Sequence, residues 1–116
     1  MARILSVSYD LSLLKTRQLI LEQKGHRVVS ALGFTEALQQ CESSKDFDLF
    51  ILGHSIPHRD KEALITAFRV QCPAPVVALK TAYEQSVTSA DFEVEPEPSA
   101  VVDIVSRITS GGTAAG

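Results

Sequence analysis

The chain has 116 residues, 45% hydrophobic and 22% charged, which is the size and balance of one globular domain. Its net charge of −3 and its lack of a basic cluster argue against nucleic-acid binding. No apolar run approaches the roughly 20 residues of a membrane span, and no signal peptide is expected after Met1. Cys41 and Cys72 do not make a disulfide framework, so we expect a reduced, cytoplasmic protein.

Short apolar runs alternate with helical patterns along the whole chain. The predicted strands are Ile4–Val7, Arg27–Leu32, Leu49–Leu52, Val76–Leu79 and Asp91–Val94. The predicted helices are Leu11–Lys24, Thr35–Ser43, Asp60–Val70 and a last helix capped by Ser99. Asp10 or Ser12 can cap the first helix, and Gly25 can end it. This order predicts an α/β domain over residues 1–109, a parallel sheet with helices on both faces, and a flexible tail over residues 110–116.

In such a sheet, ligands bind at the carboxyl ends of the strands. The residues to examine are therefore those that directly follow each predicted strand. They are Ser8-Tyr9-Asp10, Gly53-His54, Lys80-Thr81 and Glu95-Pro96.

These junctions resemble those of a response-regulator receiver domain, over about residues 2 to 109. The stretch from Phe47 to Asp60 is similar to the third strand and following loop of that family, with Pro57 and Asp60 in the family's positions. Glu95-Pro96 resembles the Lys-Pro that follows the family's fifth strand. The resemblance implies a flavodoxin-like three-layer sandwich whose five parallel strands are in the order 2-1-3-4-5.

The residues that a working receiver uses are replaced in this chain. Gly53 stands at the place of the phospho-acceptor aspartate, and a glycine offers no nucleophile. Ser8 and Tyr9 stand where the family has two acidic residues that help to hold Mg²⁺, and Asp10 is one residue late. Lys80 replaces the family's Thr or Ser, and Glu95 replaces its lysine. The sequence therefore predicts a degenerate phosphorylation pocket of Ser8, Tyr9, Asp10, Gly53, Lys80 and Glu95, with no catalytic residue, metal or cofactor.

The segment between the fourth and fifth strands is short. Lys80 and Glu95 are 15 positions apart, whereas the family usually has roughly 20 or more for a crossover with a whole helix. We therefore expect the fourth helix to be short, frayed or replaced by a loop.

The side of the sheet near strands four and five should then be uncovered, where Val77, Leu79 and Val94 alternate. Tyr83, Val87 and Val94 are the predicted partner or self-association face; in the alternative, Tyr83 and Val87 fold back and seal the sheet.

Three features allow more than one interpretation. His54 and His58 are four residues apart, but Pro57 lies between them, which favours a solvated loop over a zinc site or a substitute phospho-acceptor. Lys80 and Glu95 can form a reversed ion pair or stay separately solvated. Tyr9 can fill the former metal pocket or lie outward on the first helix.

The predicted function is a phosphorylation-independent pseudo-receiver that binds another protein in two-component-type signalling, with a homodimer as one possibility. No membrane or nucleic-acid partner is expected. The alternatives are a structural or oligomerisation domain of a longer regulator, or a small-molecule-binding flavodoxin-like domain. The last is weak because the loop after the first strand has no glycine to cradle a phosphate.

Overall fold

A computed structural model of the chain describes residues 2–115, with side chains to residue 110. These residues form five strands and four helices in alternating order until β4, which β5 follows directly. The strands are β1 (Arg3–Ser8), β2 (Arg27–Leu32), β3 (Leu49–Leu52), β4 (Val76–Leu79) and β5 (Phe92–Val94). The helices are α1 (Leu11–Gln23), α2 (Phe34–Ser43), α3 (His58–Gln71) and α4 (Pro98–Ala115). No helix within the described residues is long and apolar enough to cross a membrane.

All strand pairs of the sheet are parallel, and the order β2-β1-β3-β4-β5 confirms the predicted topology. Ile4 of β1 pairs in register with Val28 of β2 and Leu49 of β3. The four residues of β3 and the four of β4 are all buried, as expected of strands covered on both faces.

The two faces of the sheet carry separate apolar clusters. On one face, residues such as Val7, Phe50 and Val76 pack against α2 and α3. On the other, residues such as Ile4, Ile51 and Val77 pack against α1 and α4. Successive side chains of a strand point to opposite faces, which is why neighbours in sequence belong to different clusters.

Helix α1 begins where the sequence predicts. The Asp10 side chain accepts a hydrogen bond from the Leu13 backbone N–H at 3.0 Å, so Asp10 is the N-cap rather than Ser12. After its end, Gly25 has φ of +90°, a conformation that favours glycine. The inward face of α1 contains Leu14 and Leu21 and, at the same helical spacing, the buried Arg17.

The crossover from β4 to β5 contains no helix, so among the alternatives drawn from the sequence the fourth helix is replaced by a loop. Val87 takes the place of the helix: its side chain is 1% exposed and packs with the cluster on the α2 and α3 face. The prediction that Val87 lies on an exposed partner face is therefore wrong, and the alternative in which it seals the sheet is the one observed. Tyr83, by contrast, is fully exposed.

The prediction that Val77 and Leu79 lie on the uncovered side of the sheet was also wrong. Val77 and Leu79 belong to the face that α4 covers, and both are buried. Val94 is partly buried against the same cluster. The residues of β4 that a fourth helix would cover are Val76 and Ala78, on the opposite face. The error is one of strand parity, which alternation alone cannot assign to a face.

Helix α4 begins at Pro98, so Ser99 lies inside the helix and does not cap it. Proline suits the first helical position because its missing N–H has no partner there. The backbone of residues 110–115 continues α4, while Gly116 lies outside the described residues. The division of the chain at residue 109 and the flexibility of its tail stay predictions.

Candidate functional site

The predicted pocket lies at the carboxyl edge of the sheet, where β1 and β3 end side by side. The Gly53 N–H donates to the Val7 carbonyl at 2.8 Å. A Cβ built on Gly53 would lie 3.4 Å from Cβ of Ser8, so these two predicted residues are in contact distance. The fold therefore brings Ser8 and Gly53 together, as strand order requires.

Hydroxyl groups occupy the end of β1. The Ser8 Oγ is buried, accepts from the Asp10 N–H at 3.0 Å and lies 3.3 Å from the Oγ of Ser55. The Ser55 Oγ also accepts from the Tyr9 N–H at 3.2 Å. Asp10, with its carboxylate capping α1, is exposed. The network ties the β1 loop to the β3 loop through neutral groups.

Tyr9 neither lies on α1 nor stands free in the pocket. Its hydroxyl donates to Oδ2 of Asp60, in the first turn of α3, at 2.7 Å. Its ring packs against the cluster on the α2 and α3 face. Burial, followed by the hydrogen bond and the negative charge of Asp60, raises the pKa of Tyr9, because all three disfavour a phenolate. Tyr9 therefore links the β1 loop to α3 and engages the carboxylate of Asp60.

The guanidinium of Arg17 fills the space beside Gly53. Its Nη2 would lie 3.0 Å from a Cβ on Gly53, and its Nη1 donates to the Ser6 hydroxyl at 2.8 Å and to the Val7 carbonyl at 3.3 Å. Arg17 is 8% exposed, and burial lowers its pKa to about 10, which leaves it cationic at neutral pH. A cation thus occupies the region in which a receiver carries its acidic residues.

Lys80 and Glu95 are not paired. The Lys80 ammonium donates to the Thr81 carbonyl at 3.1 Å, and no ion pair joins it to Glu95 within residues 2–110. The two side chains border the same shallow depression without contact. Of the two interpretations drawn from the sequence, the structure shows the second, in which Lys80 and Glu95 are separate charges and not an ion pair.

A second buried cation supports the helix-free crossover. Lys61 of α3 is 2% exposed, and its Nζ donates to the Leu79 carbonyl at 2.9 Å. Burial lowers the pKa of Lys61, and the carboxylates of Glu84 and Glu93 partly offset this effect. The backbone of the crossover is held by the same carboxylates: Glu84 accepts from the Thr81 N–H and Glu93 from the Val87 N–H, both at 2.6 Å.

The two histidines do not form a pair. His58 Nε2 lies 3.3 Å from a carboxylate oxygen of Glu62, one turn further along α3. His54 is on the loop after β3, and its Nδ1 is buried without a hydrogen-bond partner among the described residues. Within those residues, no three His, Cys, Asp or Glu side chains are grouped to hold a metal ion.

Mg²⁺ does not fit the donor set of this edge. The cation requires oxygen ligands, usually including carboxylates. Here the end of β1 provides the hydroxyl of Ser8, Asp60 is engaged by Tyr9, and the charge beside Gly53 is the positive charge of Arg17. Like charges repel, so the guanidinium opposes a second cation at this position.

Sequence reasoning missed Arg17 and Lys61. Both stand on the apolar face of their helices: Arg17 lies three residues after Leu14, and Lys61 lies three residues before Leu64. A charged residue at an inward helical position is unusual because burial of a charge is costly. That spacing was the available signal for both.

No protein-family model matches this sequence, and no curated protein matches it. Solved structures do match its fold. The N-terminal domain of a response regulator/sensory box/GGDEF protein from Carboxydothermus hydrogenoformans is 21% identical with a TM-score of 0.80, covering 97% of this chain and 98% of that one. A response regulator receiver domain protein from Clostridium thermocellum is 15% identical with a TM-score of 0.83, covering both chains completely.

The third similar structure is the response regulator TrrA of Thermotoga maritima, in complex with Mg²⁺-BeF. It is 22% identical with a TM-score of 0.78 and covers 93% of this chain and 99% of that one. The chain therefore has the fold of a CheY-like response-regulator receiver domain, as its strand junctions predicted.

Proposed function

We propose that this chain is a phosphorylation-independent pseudo-receiver, which acts in the cytoplasm as a protein-binding module of two-component-type signalling and is not an enzyme. The observation that carries the proposal is Gly53 with the Arg17 guanidinium beside it. A receiver needs a carboxylate to attack phosphorus and further oxygen ligands for Mg²⁺. This edge offers a glycine, hydroxyl groups and a buried cation instead.

The retained fold supports binding rather than chemistry. TrrA, which has the same fold, is described with Mg²⁺-BeF, whereas the corresponding edge of this chain is closed by the Tyr9–Asp60 hydrogen bond and by Arg17. A domain that has the receiver architecture and lacks a nucleophile is most useful through its surface.

The surface that we propose for the partner is the helix-free crossover around Tyr83. The Tyr83 side chain is fully exposed, and exposed tyrosines are common at the centres of protein interfaces. Val94 of β5 is partly buried on the α1 and α4 face, while Val87 is buried beneath the crossover on the opposite face. The occupant is a partner protein or a second copy of the chain.

Intact-mass spectrometry tests the loss of chemistry. After incubation with acetyl phosphate and Mg²⁺, we expect no acid-labile adduct of about 80 Da. A working receiver treated in parallel serves as the positive control. An adduct on Asp10, His54 or Asp60 would contradict the proposal.

Thermal melts test the loss of Mg²⁺ binding. A ligand that binds the native state raises its stability, so without a site the melts with about 10 mM Mg²⁺ should superimpose on melts at matched ionic strength.

A further inference from the structure

A cavity of about 60 Å³ lies between α1 and α4, beside the Gly53 edge, and opens to solvent. Its walls are mainly apolar and include Leu13 and Ile20 of α1, Leu79 of β4 and Val101 of α4. This volume exceeds the roughly 10–15 Å³ that a single water needs. The opening leaves room for a ligand to extend beyond the enclosed part.

Besides Thr16 at the exposed rim, two polar side chains line this apolar cavity. One is Arg17, whose charge has no carboxylate partner: none of the ion pairs among residues 2–110 includes it. Its hydrogen bonds, to the Ser6 hydroxyl and the Val7 carbonyl, both use Nη1, while Nη2 is the nitrogen nearest to Gly53. The other is His54, whose Nδ1 is buried without a partner among the described residues.

A buried cation without a counter-charge is unfavourable, because its desolvation is not offset by an ion pair. An anion placed in the adjoining cavity would supply the missing charge, and the guanidinium matches a carboxylate with two parallel hydrogen bonds. Ligand sites in proteins have this composition: apolar walls and a few converging polar groups that orient the ligand.

We propose that the cavity binds a small carboxylic acid with an apolar body, the carboxylate facing Arg17 and His54 and the body packing between α1 and α4. A carboxylate fits better than a phosphate because a single guanidinium is present and most of the remaining wall is apolar. The site is distinct from the proposed protein-binding surface around Tyr83, so either can fail without the other.

Backbone amide NMR titration of the full chain with butyrate tests the proposal. We expect saturable shifts of amides in α1 and at the start of α4, with millimolar affinity for so small a ligand. Butyramide has the same shape without the charge and should bind at least about tenfold more weakly. Inorganic phosphate has the charge without the apolar body and should give no saturable shifts at these amides.

Two variants and one control locate the site. Arg17→Met keeps an apolar stem and should weaken butyrate binding by about tenfold or more. Lys15→Met removes an exposed cation of the same helix, outside the cavity, and should leave the affinity unchanged. If Arg17→Met does not fold, Thr16→Trp replaces an exposed residue at the rim with a side chain that fills the opening, and it should abolish the titration.

Equal binding of butyrate and butyramide would overturn the proposal, since Arg17 would then contribute nothing. The proposal would also be overturned if butyrate gave no saturable shifts, or if phosphate bound more tightly than butyrate. Equal losses of butyrate affinity in the Lys15→Met and Arg17→Met variants would overturn it as well. In each of these cases the only role of Arg17 would be to hold β1 through its hydrogen bonds to Ser6 and Val7.

Discussion

At the scale of single residues, the main chemical feature of the carboxyl edge of the sheet is a guanidinium beside a glycine. Gly53 leaves space beside β1, and Arg17 reaches into that space from α1. The backbone of Gly53 does not have a positive φ, so a side chain is limited there by its neighbours rather than by strain.

Gly53→Ala should lower the free energy of unfolding by about 1 kcal/mol, since overpacking in a buried site is destabilising. The new Cβ would lie 3.1 Å from the Val7 carbonyl oxygen, which the sheet holds in place. Chemical denaturation followed by circular dichroism measures the change. A more stable variant would show that Arg17 and β1 shift easily to make room for the new Cβ, and would contradict the packing described for this edge.

Gly53→Asp should exceed the isosteric Gly53→Asn in stability by about 1 kcal/mol or more at neutral pH, because its carboxylate would pair with Arg17. The pairing would lower the pKa of the new carboxyl group. Its contribution is then present above the unfolded value of about 4 and is lost as the pH falls through the folded pKa. Denaturation at about pH 7 and pH 3 tests this. Equal stability of the two variants at neutral pH would mean that Arg17 lies elsewhere.

At the scale of secondary-structure elements, the β4–β5 crossover is held without a helix by the apolar contacts of Val87 and Ala90, by two carboxylates, and by Arg69, which donates to the Ser89 carbonyl. Val87 covers the sheet, and Glu84 and Glu93 accept hydrogen bonds from the crossover backbone. Lys61 lies beneath and compensates their charge. Because few groups hold this segment, each of them should matter for its stability.

Val87→Ala should cost about 2 kcal/mol, the value expected for removal of two buried methyl groups with a partial cavity. Thr88→Ala, one residue further on and exposed, is the matched control and should change stability by less than about 0.5 kcal/mol. Urea denaturation compares the two. If both variants prove equally harmless, Val87 does not seal the sheet, and the exposed apolar face predicted from the sequence becomes tenable again.

Acid should loosen the crossover. Burial raises the pKa of Glu93, but the hydrogen bonds from Val87 and Ser86 and the nearby lysines outweigh it, so that the pKa is lowered overall. The pKa of Glu84 is lowered in the same way: burial is again the largest effect, and its hydrogen bonds to Thr81 and nearby positive charges outweigh it. Carboxylates with lowered pKa stabilise the fold above their unfolded pKa, and this stability is lost as the pH falls through the folded pKa.

We therefore expect the double variant Glu84→Gln/Glu93→Gln to lose less free energy of unfolding than the parent between about pH 5 and pH 3. Glu97→Gln, at an exposed position outside the crossover, is the control and should follow the parent. Denaturation curves over this pH range give the comparison. Parallel pH profiles for the parent and the double variant would show that these carboxylates do not hold the crossover.

At the scale of the whole molecule, the question is which partner binds to the surface around Tyr83. Light scattering over a concentration series separates a second copy of the chain from another partner. If the occupant is a second copy, Tyr83→Ser should shift the mass towards the monomer and leave the circular dichroism unchanged. Tyr9→Phe is the control, because Tyr9 is engaged with Asp60. Self-association that is unaffected by Tyr83→Ser would place the interface on another surface.

The sequence by itself determined the class of fold and the absence of a nucleophilic side chain at Gly53, directly after the third strand. Alternating apolar runs and helical patterns lead to a parallel sheet, and Gly53 cannot act as a nucleophile in any conformation. The sequence also indicated Asp10 as a helix cap and a crossover too short for a full helix. These inferences depend on local spacing or on residue type, both of which can be read along the chain.

Only the tertiary structure decided which side chains fill the space beside Gly53 and cover the sheet under the β4–β5 crossover. Arg17 and Gly53 are far apart in sequence and meet because α1 packs against β1, whose neighbour β3 ends just before Gly53. Val87 became part of the core because the missing helix left the α2 and α3 face uncovered, and strand parity alone does not say which face that is. Close packing requires a neighbouring side chain to fill each space. The fold, and not the spacing along the sequence, determines which side chains are neighbours.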